Sequence, residues 1–398
     1  MAELISIADA RREVVAAITP LGSESIPVTE ALDRILAAPV LATTDVPPFP
    51  ASAMDGYAVQ AGPSGRELVV VGESRAGTPS SRVLKDGEAI RISTGAAIPA
   101  GATGVIPQEE VEVRDGAVVL AADVAAGAHV RPAGEVMPAG TPVVAGAVKI
   151  GPAELAAAIA AGAGQVRVAR RPLTDVLSTG DELRAPGEPL APGEIHNSNG
   201  PMLAAMAGRC GALSGVPRVL PDERAATEAG LEAALARAEV VIVSGGVSVG
   251  PHDHVKPALA SLGVQERWWG VSLQPGKPTW FGTRDDRLVF GLPGNPVSAA
   301  VTFSLFVAPA LSVLQGAEPV TDLGAAVLGA DVRRNPRREQ ALRVRLERRD
   351  GATVAIPNGP QGSHVVTSLV GADALAFVAA GPGVLDAGAT VRLAPLVR

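Results

Sequence analysis

The sequence predicts a multidomain chain that joins an α/β domain with a parallel sheet to all-β regions. Three observations lead there. The chain has 398 residues, 47% hydrophobic and 19% charged, enough for several packed cores. Between residues 172 and 315, apolar strand candidates alternate with helix candidates, the pattern of a parallel-sheet α/β domain. From about 45 to 139, and again from about 320 onward, short β-like runs lie between Gly, Pro and Asp turns without a helical period.

Taken in order, residues 6–18 fit a helix capped by Ser6, with Asp9 three positions on in a capping-box arrangement. Residues 29–38, "TEALDRILAA", repeat that design with Thr29 as the cap. The stretch "PVLATTDVPPFP" is extended and punctuated by proline. The runs "ELVVV", "AIRI", "EVEV" and "AVVL" read as strands of a small all-β domain. Residues 152–162 return to helix, with Pro152 at the favoured first position. The α/β region follows: strand "TDVLST", helices 199–208 and 222–237, strand "EVVIVS", helix 252–262, strand "RLVFGL" and helix 296–315. "QALRVRLER", "ATVAIP", "ALAFVAA" and "ATVRLAPL" then form a small β domain that closes the chain.

Composition excludes several classes of function. The net charge is −7 and basic residues form no long tract, which argues against a nucleic-acid surface. The short run Arg333, Arg334, Arg337, Arg338 reads as a solvated face. A single cysteine, Cys210, rules out an internal disulfide and a cysteine metal cluster. The amino terminus carries charges where a signal peptide needs an apolar core. The most apolar stretch, Pro296 to Gln315, contains Pro309 and small polar residues and reads as a buried helix, so no membrane partner is expected. A cytoplasmic location is the expectation.

In parallel α/β sheets, ligands bind at the carboxyl ends of the strands. Three strand candidates end there in unusual loops: "VLSTGDEL" (176–183), "VIVSGGVSVGPHDHVK" (241–256) and "FGLPGNPVS" (290–298). Small residues let backbone N–H groups approach an anion, and helix amino ends favour negative charge. None of the loops is a GxxxxGKS phosphate loop or a GxGxxG fingerprint. A nucleotide or pterin phosphate fits them. The same loops carry acids. Asp181, Glu182 and Asp253 follow their glycines closely, and Asp222 and Glu223 open the next helix. Favouring a helix amino end is an equal reading for Asp222 and Glu223, and capping of the following segment is an alternative for Asp181. Glu182 and Asp253 lie just past strand ends, where hard oxygen ligands suit Mg²⁺ beside phosphate. His252 and His254 flank Asp253 and read as surface or supporting groups. Lys277, in the proline-stiffened "QPGKP", is an anion anchor or a plain surface lysine. The Trp268–Trp269 pair reads as packing. "SAMDGYAV", residues 52–59, places Asp55 and Gly56 beside Tyr57, the only tyrosine. Locally it is either a turn with a half-buried ring or a catalytic loop.

"SAMDGYAV", "STGDEL", "SGGVSVG", "PGKP", "GLPGNPVS" and "QGSH" occur together and in this order. As a set they resemble the molybdopterin molybdenumtransferase family, similar to the carboxyl-terminal domain of gephyrin, over almost the whole chain. The resemblance implies Mg²⁺-dependent hydrolysis of adenylyl-molybdopterin, with transfer of molybdate to the dithiolene and release of AMP and molybdenum cofactor. It implies four parts. Residues 1–21 with 168–318 form the α/β molybdopterin-binding domain, and 22–44 with 140–167 an elongated dimerisation domain. Residues 45–139 form a β-rich inserted domain, and 319–398 a C-terminal β domain like a barrel. It further implies a homodimer whose cleft is shared between protomers. Molybdopterin adenylyltransferase and molybdoenzyme apoproteins are the protein partners it suggests.

Residue by residue, the resemblance assigns Asp55 to the acid of the β-domain loop and Thr94, in "RISTGAAIP", to a cleft-facing threonine. Glu182 matches the acid of the TGDE loop, with Thr179, Gly180 and Asp181 beside it. Ser248 and Asp253 match groups holding molybdate and metal, so Glu182 and Asp253 are the metal ligands expected. Asp222 and Glu223 match the paired acids before the third helix. Ser244, Gly245 and Gly246 belong to the second loop, and Pro293, Gly294, Asn295 and Pro296 to the loop under the pterin phosphate. Lys277, Arg343 and Ser363 match two cations and the "QGS" serine, which suit a dianion such as molybdate. Two positions depart from the family. Val136 stands where an acid is frequent, leaving Glu135 as the nearest carboxylate, and Gln274 stands where lysine is frequent. They leave an alternative open, a non-catalytic molybdopterin-binding cofactor carrier. The adenylyltransferase of the same pathway fits less well, since it has one domain and an "SGGTG" loop.

Overall fold

The computed structural model describes residues 4–246 and 254–398. The chain divides into two compact units, one of Ser25–Val168 and one of the preceding residues to Glu24 together with Ala169–Arg398.

The larger unit holds the α/β layer. Its helices are α1 (Ile7–Ala16), α2 (Asn199–Arg209), α3 (Arg224–Arg237), α4 (Val255–Ser261), α5 (Pro296–Thr302) and α6 (Ala308–Leu314). Its strands are β1 (Leu173–Thr179), β2 (Leu213–Ser214), β3 (Arg218–Leu220), β4 (Val240–Ser244), β5 (Gln265–Trp269), β6 (Trp280–Arg284) and β7 (Arg287–Leu292). Ser6 caps α1 as its sequence predicts, its side chain accepting the Asp9 N–H. The sheet order is β2-β1-β4-β7-β6-β5, with β3 also paired to β1. Pairing is parallel from β2 and β3 through β7. It turns antiparallel at β6 and β5, so the expected parallel sheet is a mixed one. The run at β6 was not anticipated, and the Trp268–Trp269 pair proves to be strand. Trp268 packs on Phe281 and Phe306, which fits the packing role expected of it.

Alternate residues of the central strands feed two cores. Val176, Ile242 and Phe290 lie in register on one face, and Leu177, Val243 and Val289 belong to the other. Burial on both faces explains why "EVVIVS" and "RLVFGL" read as near-continuous apolar runs. The helical stretch Pro296–Leu314 is long and apolar enough to span a membrane, yet 83% of it is buried inside the protein. A π-turn at Phe303–Val307 separates α5 from α6 just before Pro309, which has no N–H to donate.

The carboxyl-terminal strands are β8 (Ala325–Leu328), β9 (Glu339–Arg349), β10 (Ala352–Pro357), β11 (Ala374–Val378) and β12 (Thr390–Pro395). They run β9-β10-β8-β12-β11, and β11 pairs back onto β9, closing a five-strand barrel. Leu342 and Val344 fill its interior. On the opposite face of the strand, Ala341 points outward into the α/β core. Leu273 and Gln274 add in parallel to the start of β9.

The smaller unit contains a six-stranded sheet in which Gly56–Val59 lies between Glu88–Ile92 and Gly104–Pro107. The predicted runs at 67–71, 89–92, 110–113 and 117–120 are all strands here; the first continues to Ser74 and the others agree within a residue at their ends. The helix Pro152–Ala160 also forms. The helix expected over 29–38 does not. Only a single turn, Val28–Glu30, is helical, and Asp33 adopts φ 62°. Long-range pairing takes the backbone instead: the Leu36 N–H goes to Val148 O, and the Ile150 N–H to Arg34 O.

Candidate functional site

The ends of β1, β4 and β7 converge on one cavity of about 520 Å³. Its wall includes Thr179, Gly180, Glu182, Asp222, Ser244, Gly245, Gly246, Gly294 and Pro296, all singled out from sequence. The wall also includes Ser178, His196, Asn197, Ser198 and Asn199, which the sequence reading passed over.

Each loop is held by specific contacts. Gly180 has φ 141°, and a Cβ there would meet Glu182 Oε2 at 2.3 Å, so the Glu182 carboxylate folds back over the glycine. A Cβ on Gly245 or on Gly246 would stand 2.9 Å from Thr179 Oγ1. The first two loops are therefore interlocked, and only glycine fits. The Gly245 N–H donates to Leu292 O at 3.1 Å, joining the second loop to the third. That N–H is thus engaged within the protein. Asp181 and Asp222 grip each other: the Asp222 N–H donates to Asp181 Oδ1 at 3.0 Å, and the Asp181 N–H to Asp222 Oδ2 at 3.3 Å. Glu223 is the residue preceding α3, and its side chain makes no cap bond. The short parallel pairing of Leu183–Arg184 with Ile195–His196 brings the HNSN segment beside the TGDE loop.

Other expected residues lie at varying remove. Asn295 Nδ2 donates to Ser363 Oγ at 3.1 Å, and the Val297 N–H donates to Ser363 O at 3.2 Å, so the QGS turn docks on the third loop. Pro293 is buried behind the cavity wall. Lys277 is exposed on its turn and is not part of the wall. Gln274 Oε1 accepts from Asn335 Nδ2 at 2.5 Å and so is engaged with the barrel. Arg343 is 0% exposed. Its Nε donates to Ser368 Oγ at 3.1 Å and its Nη2 to Gly362 O at 3.4 Å, while Nη1 has no partner among the described residues. Burial lowers its pKa from the ordinary arginine range to about 10. Arg343 thus grips the QGS turn from inside. Ser248 and Asp253 lie outside the described residues.

In the smaller unit, Asp55 Oδ1 accepts the Thr94 N–H at 2.8 Å, so the two residues chosen there meet. Tyr57 is buried in that unit's core. Glu135 and Val136 are both exposed. Among the described residues, no three His, Cys, Asp or Glu side chains cluster as a ready-made metal site. The cavity wall does offer the carboxylates of Glu182 and Asp222.

Comparison with known proteins shows the family to which this fold belongs. Three family descriptions match consecutive parts of the chain. They are "MoeA N-terminal region (domain I and II)" at residues 5–162, "Probable molybdopterin binding domain" at 175–313, and "MoeA C-terminal region (domain IV)" at 325–396. The chain is 34% identical to molybdopterin molybdenumtransferase 2 of Mycobacterium tuberculosis, covering 91% of this chain and 92% of the relative. It is 33% identical to the molybdopterin molybdenumtransferase of Haemophilus influenzae, covering 94% of each. A solved structure of the molybdopterin biosynthesis MoeA protein from Pyrococcus horikoshii matches with TM-score 0.84 and 32% identity, over 99% of both chains. The chain belongs to the molybdopterin molybdenumtransferase family, and is a transferase of molybdenum cofactor biosynthesis.

Proposed function

We propose that the protein hydrolyses adenylyl-molybdopterin in a Mg²⁺-dependent step, transfers molybdate to the dithiolene, and releases AMP and molybdenum cofactor. One observation carries this reading: three strand-end loops meet at a single cavity with Glu182 and Asp222 in its wall. A wall carboxylate such as Glu182 suits a hard cation that takes its remaining ligands from a second acid, water and substrate phosphate. Glu182, with Asp253, would hold Mg²⁺, which supplies charge neutralisation at the phosphoanhydride. Thr179, Gly180, Ser244, Gly246, Gly294 and Pro296 shape the cavity for the pterin phosphate. Asp181 and Asp222 fix the first loop against the start of α3. Lys277 and Ser363, together with Ser248, supply cation and hydroxyls to molybdate, and Arg343 acts on that end by holding the QGS turn.

The working form is proposed to be a cytoplasmic homodimer. Asp55 and Thr94 of one protomer complete the cleft of its partner. The four-part division given above, with its boundaries, is kept as part of this proposal. Exchange with molybdopterin adenylyltransferase and with molybdoenzyme apoproteins follows from the chemistry of substrate and product.

The test supplies purified protein with adenylyl-molybdopterin, molybdate and Mg²⁺ and follows AMP by chromatography. AMP is expected only when molybdate and Mg²⁺ are both present. Tight binding of the pterin with no AMP above background would overturn the reading in favour of a carrier. Val136, where an acid is frequent in the family, and Gln274, an uncharged amide whose Oε1 is engaged by Asn335, are the features that favour the carrier.

A further inference from the structure

Two buried asparagines lie at the centre of the cavity wall. Asn197 is 6% exposed and Asn199 is 8% exposed. Asn197 Oδ1 accepts from Ser178 Oγ at 3.2 Å and from the Gly200 N–H at 3.0 Å. Asn199 Nδ2 donates to Ser244 Oγ at 2.8 Å and to Gly294 O at 2.7 Å. The pair therefore touches the end of β1, the end of β4 and the loop after β7, the three places from which the cavity is built.

The orientation of Asn199 is fixed by chemistry. A backbone carbonyl only accepts, so the amide nitrogen must face Gly294 O. That leaves Oδ1 buried without a donor among the described residues. Buried acceptors are rarely left unpaired, and an aliphatic side chain would fill the space without that penalty. What retains an amide here is its donor end, which adds a side-chain bridge from Ser244 to Gly294 beyond the last backbone bond between the two loops, Gly245 N–H to Leu292 O. Crowding makes the arrangement specific: a Cβ on Gly200 would stand 2.9 Å from Asn197 Nδ2 and 3.3 Å from Ser178 Oγ.

We propose that Asn197 and Asn199 are positioning residues of the transfer reaction. They hold the TGDE, SGG and PGN loops in the one arrangement in which Glu182, Ser244 and Gly294 face a common substrate. The activity half of this inference rests on the transferase reading; the structural half does not.

Aspartate distinguishes the two residues. Asn197 is bound through its acceptor, which aspartate keeps. Asn199 is bound through its donor, which aspartate replaces with an oxygen facing a carbonyl. Asn197→Asp is expected to retain the larger share of kcat. Asn199→Asp is expected to lose about tenfold or more of kcat, with KM changed less. Asn197→Ala and Asn199→Ala are both expected to lose activity, and adding Ser244→Ala to Asn199→Ala to cost little more than Asn199→Ala alone. Hydrogen–deuterium exchange of the intact protein provides a readout free of turnover. Peptides covering residues 290–298 should exchange faster in Asn199→Ala and Asn199→Asp, while those covering β1 and the barrel stay protected. Unchanged exchange at 290–298 overturns the clasp, as does equal loss in the two aspartate variants or additivity with Ser244→Ala. If the wild type releases no AMP, the transferase reading falls while exchange still decides the clasp. If Asn199→Ala fails to fold, Asn199→Ser, which keeps a short donor, carries the exchange measurement.

Discussion

Replacing Arg343 by methionine separates the structural cost of this residue from its use. The guanidinium is wholly buried, and no acid pairs with it among the described residues. Burial pulls its pKa well below the ordinary arginine range, to about 10. A displacement of that size corresponds to roughly 3 kcal/mol against the charged form. Opposing it are the Nε bond to Ser368 Oγ at 3.1 Å and two longer Nη2 contacts, 3.4 Å to Gly362 O and 3.5 Å to Pro360 O. One good hydrogen bond from a charged group contributes about 1.5–3 kcal/mol, and the long ones less. The opposing contributions nearly cancel. Arg343→Met, which fills similar space without charge, should therefore shift unfolding free energy by no more than about 2 kcal/mol. The QGS turn would lose its internal grip, and AMP release should fall about tenfold or more. Arg343→Lys should be less stable than Arg343→Met, because it leaves a buried ammonium without the fork.

The linkage sign is distinctive. The folded pKa lies below the unfolded one, so above about pH 10 the unfolded chain binds the proton that the folded chain has released. Wild-type stability relative to Arg343→Met should thus rise as pH climbs through that region. Urea denaturation of both proteins between about pH 8.5 and pH 11, with AMP release at neutral pH, measures each quantity. A loss above about 4 kcal/mol in Arg343→Met would refute the near-balance, and a flat difference across pH would refute the lowering of the Arg343 pKa by burial.

Glu182→Gln should fold normally, since the carboxylate is exposed at the cavity, and should lose about a hundredfold or more in AMP release, read by chromatography. Gly56→Ala should destabilise the smaller unit, because the new Cβ would lie 1.9 Å from Ile106 O; limited proteolysis should then cut first within Ser25–Val168. Asp373 has its pKa lowered mainly by the Leu346 N–H and also by Arg398, so its stabilisation is present above the ordinary carboxylate range and disappears as pH falls through the lowered value. Asp373→Asn should therefore show a shallower loss of stability on acidification than wild type, measured by thermal unfolding.

Much of the site was legible because strand and loop carry opposite signals. "TDVLST", "EVVIVS" and "RLVFGL" are buried on both faces and end abruptly in Gly, Ser or Pro, and that boundary is where the cavity forms. The antiparallel strands β5 and β6 were harder, since "WFGTR" resembles any short apolar run without a parallel neighbour in sequence. The failed helix at 29–38 shows the same limit. Leu32, Ile35 and Leu36 have helical spacing, yet Leu32 is 47% exposed and the backbone at Leu36 pairs with Val148. Tertiary pairing overrode local propensity there. Asn197 and Asn199 were missed because asparagines between a strand and a helix read as ordinary turn residues. The signal that could have found them is their spacing: two amides, two residues apart, at the start of a helix that follows the TGDE strand. Arg343 shows the converse. Its match to a family arginine drew attention to it, but alternation along β9 alone did not reveal that the outer barrel face is buried against the α/β core.

Subunit mixing tests the proposed reaction and its shared cleft most directly. Asp55→Asn and Glu182→Gln homodimers should each be inactive. In a dimer whose cleft takes Asp55 from one protomer and Glu182 from its partner, a mixed dimer has one intact cleft and one doubly altered cleft. Random exchange of equal amounts should then restore about a quarter of wild-type AMP release. No recovery after verified exchange, or substantial activity in the unmixed Asp55→Asn protein, would contradict it.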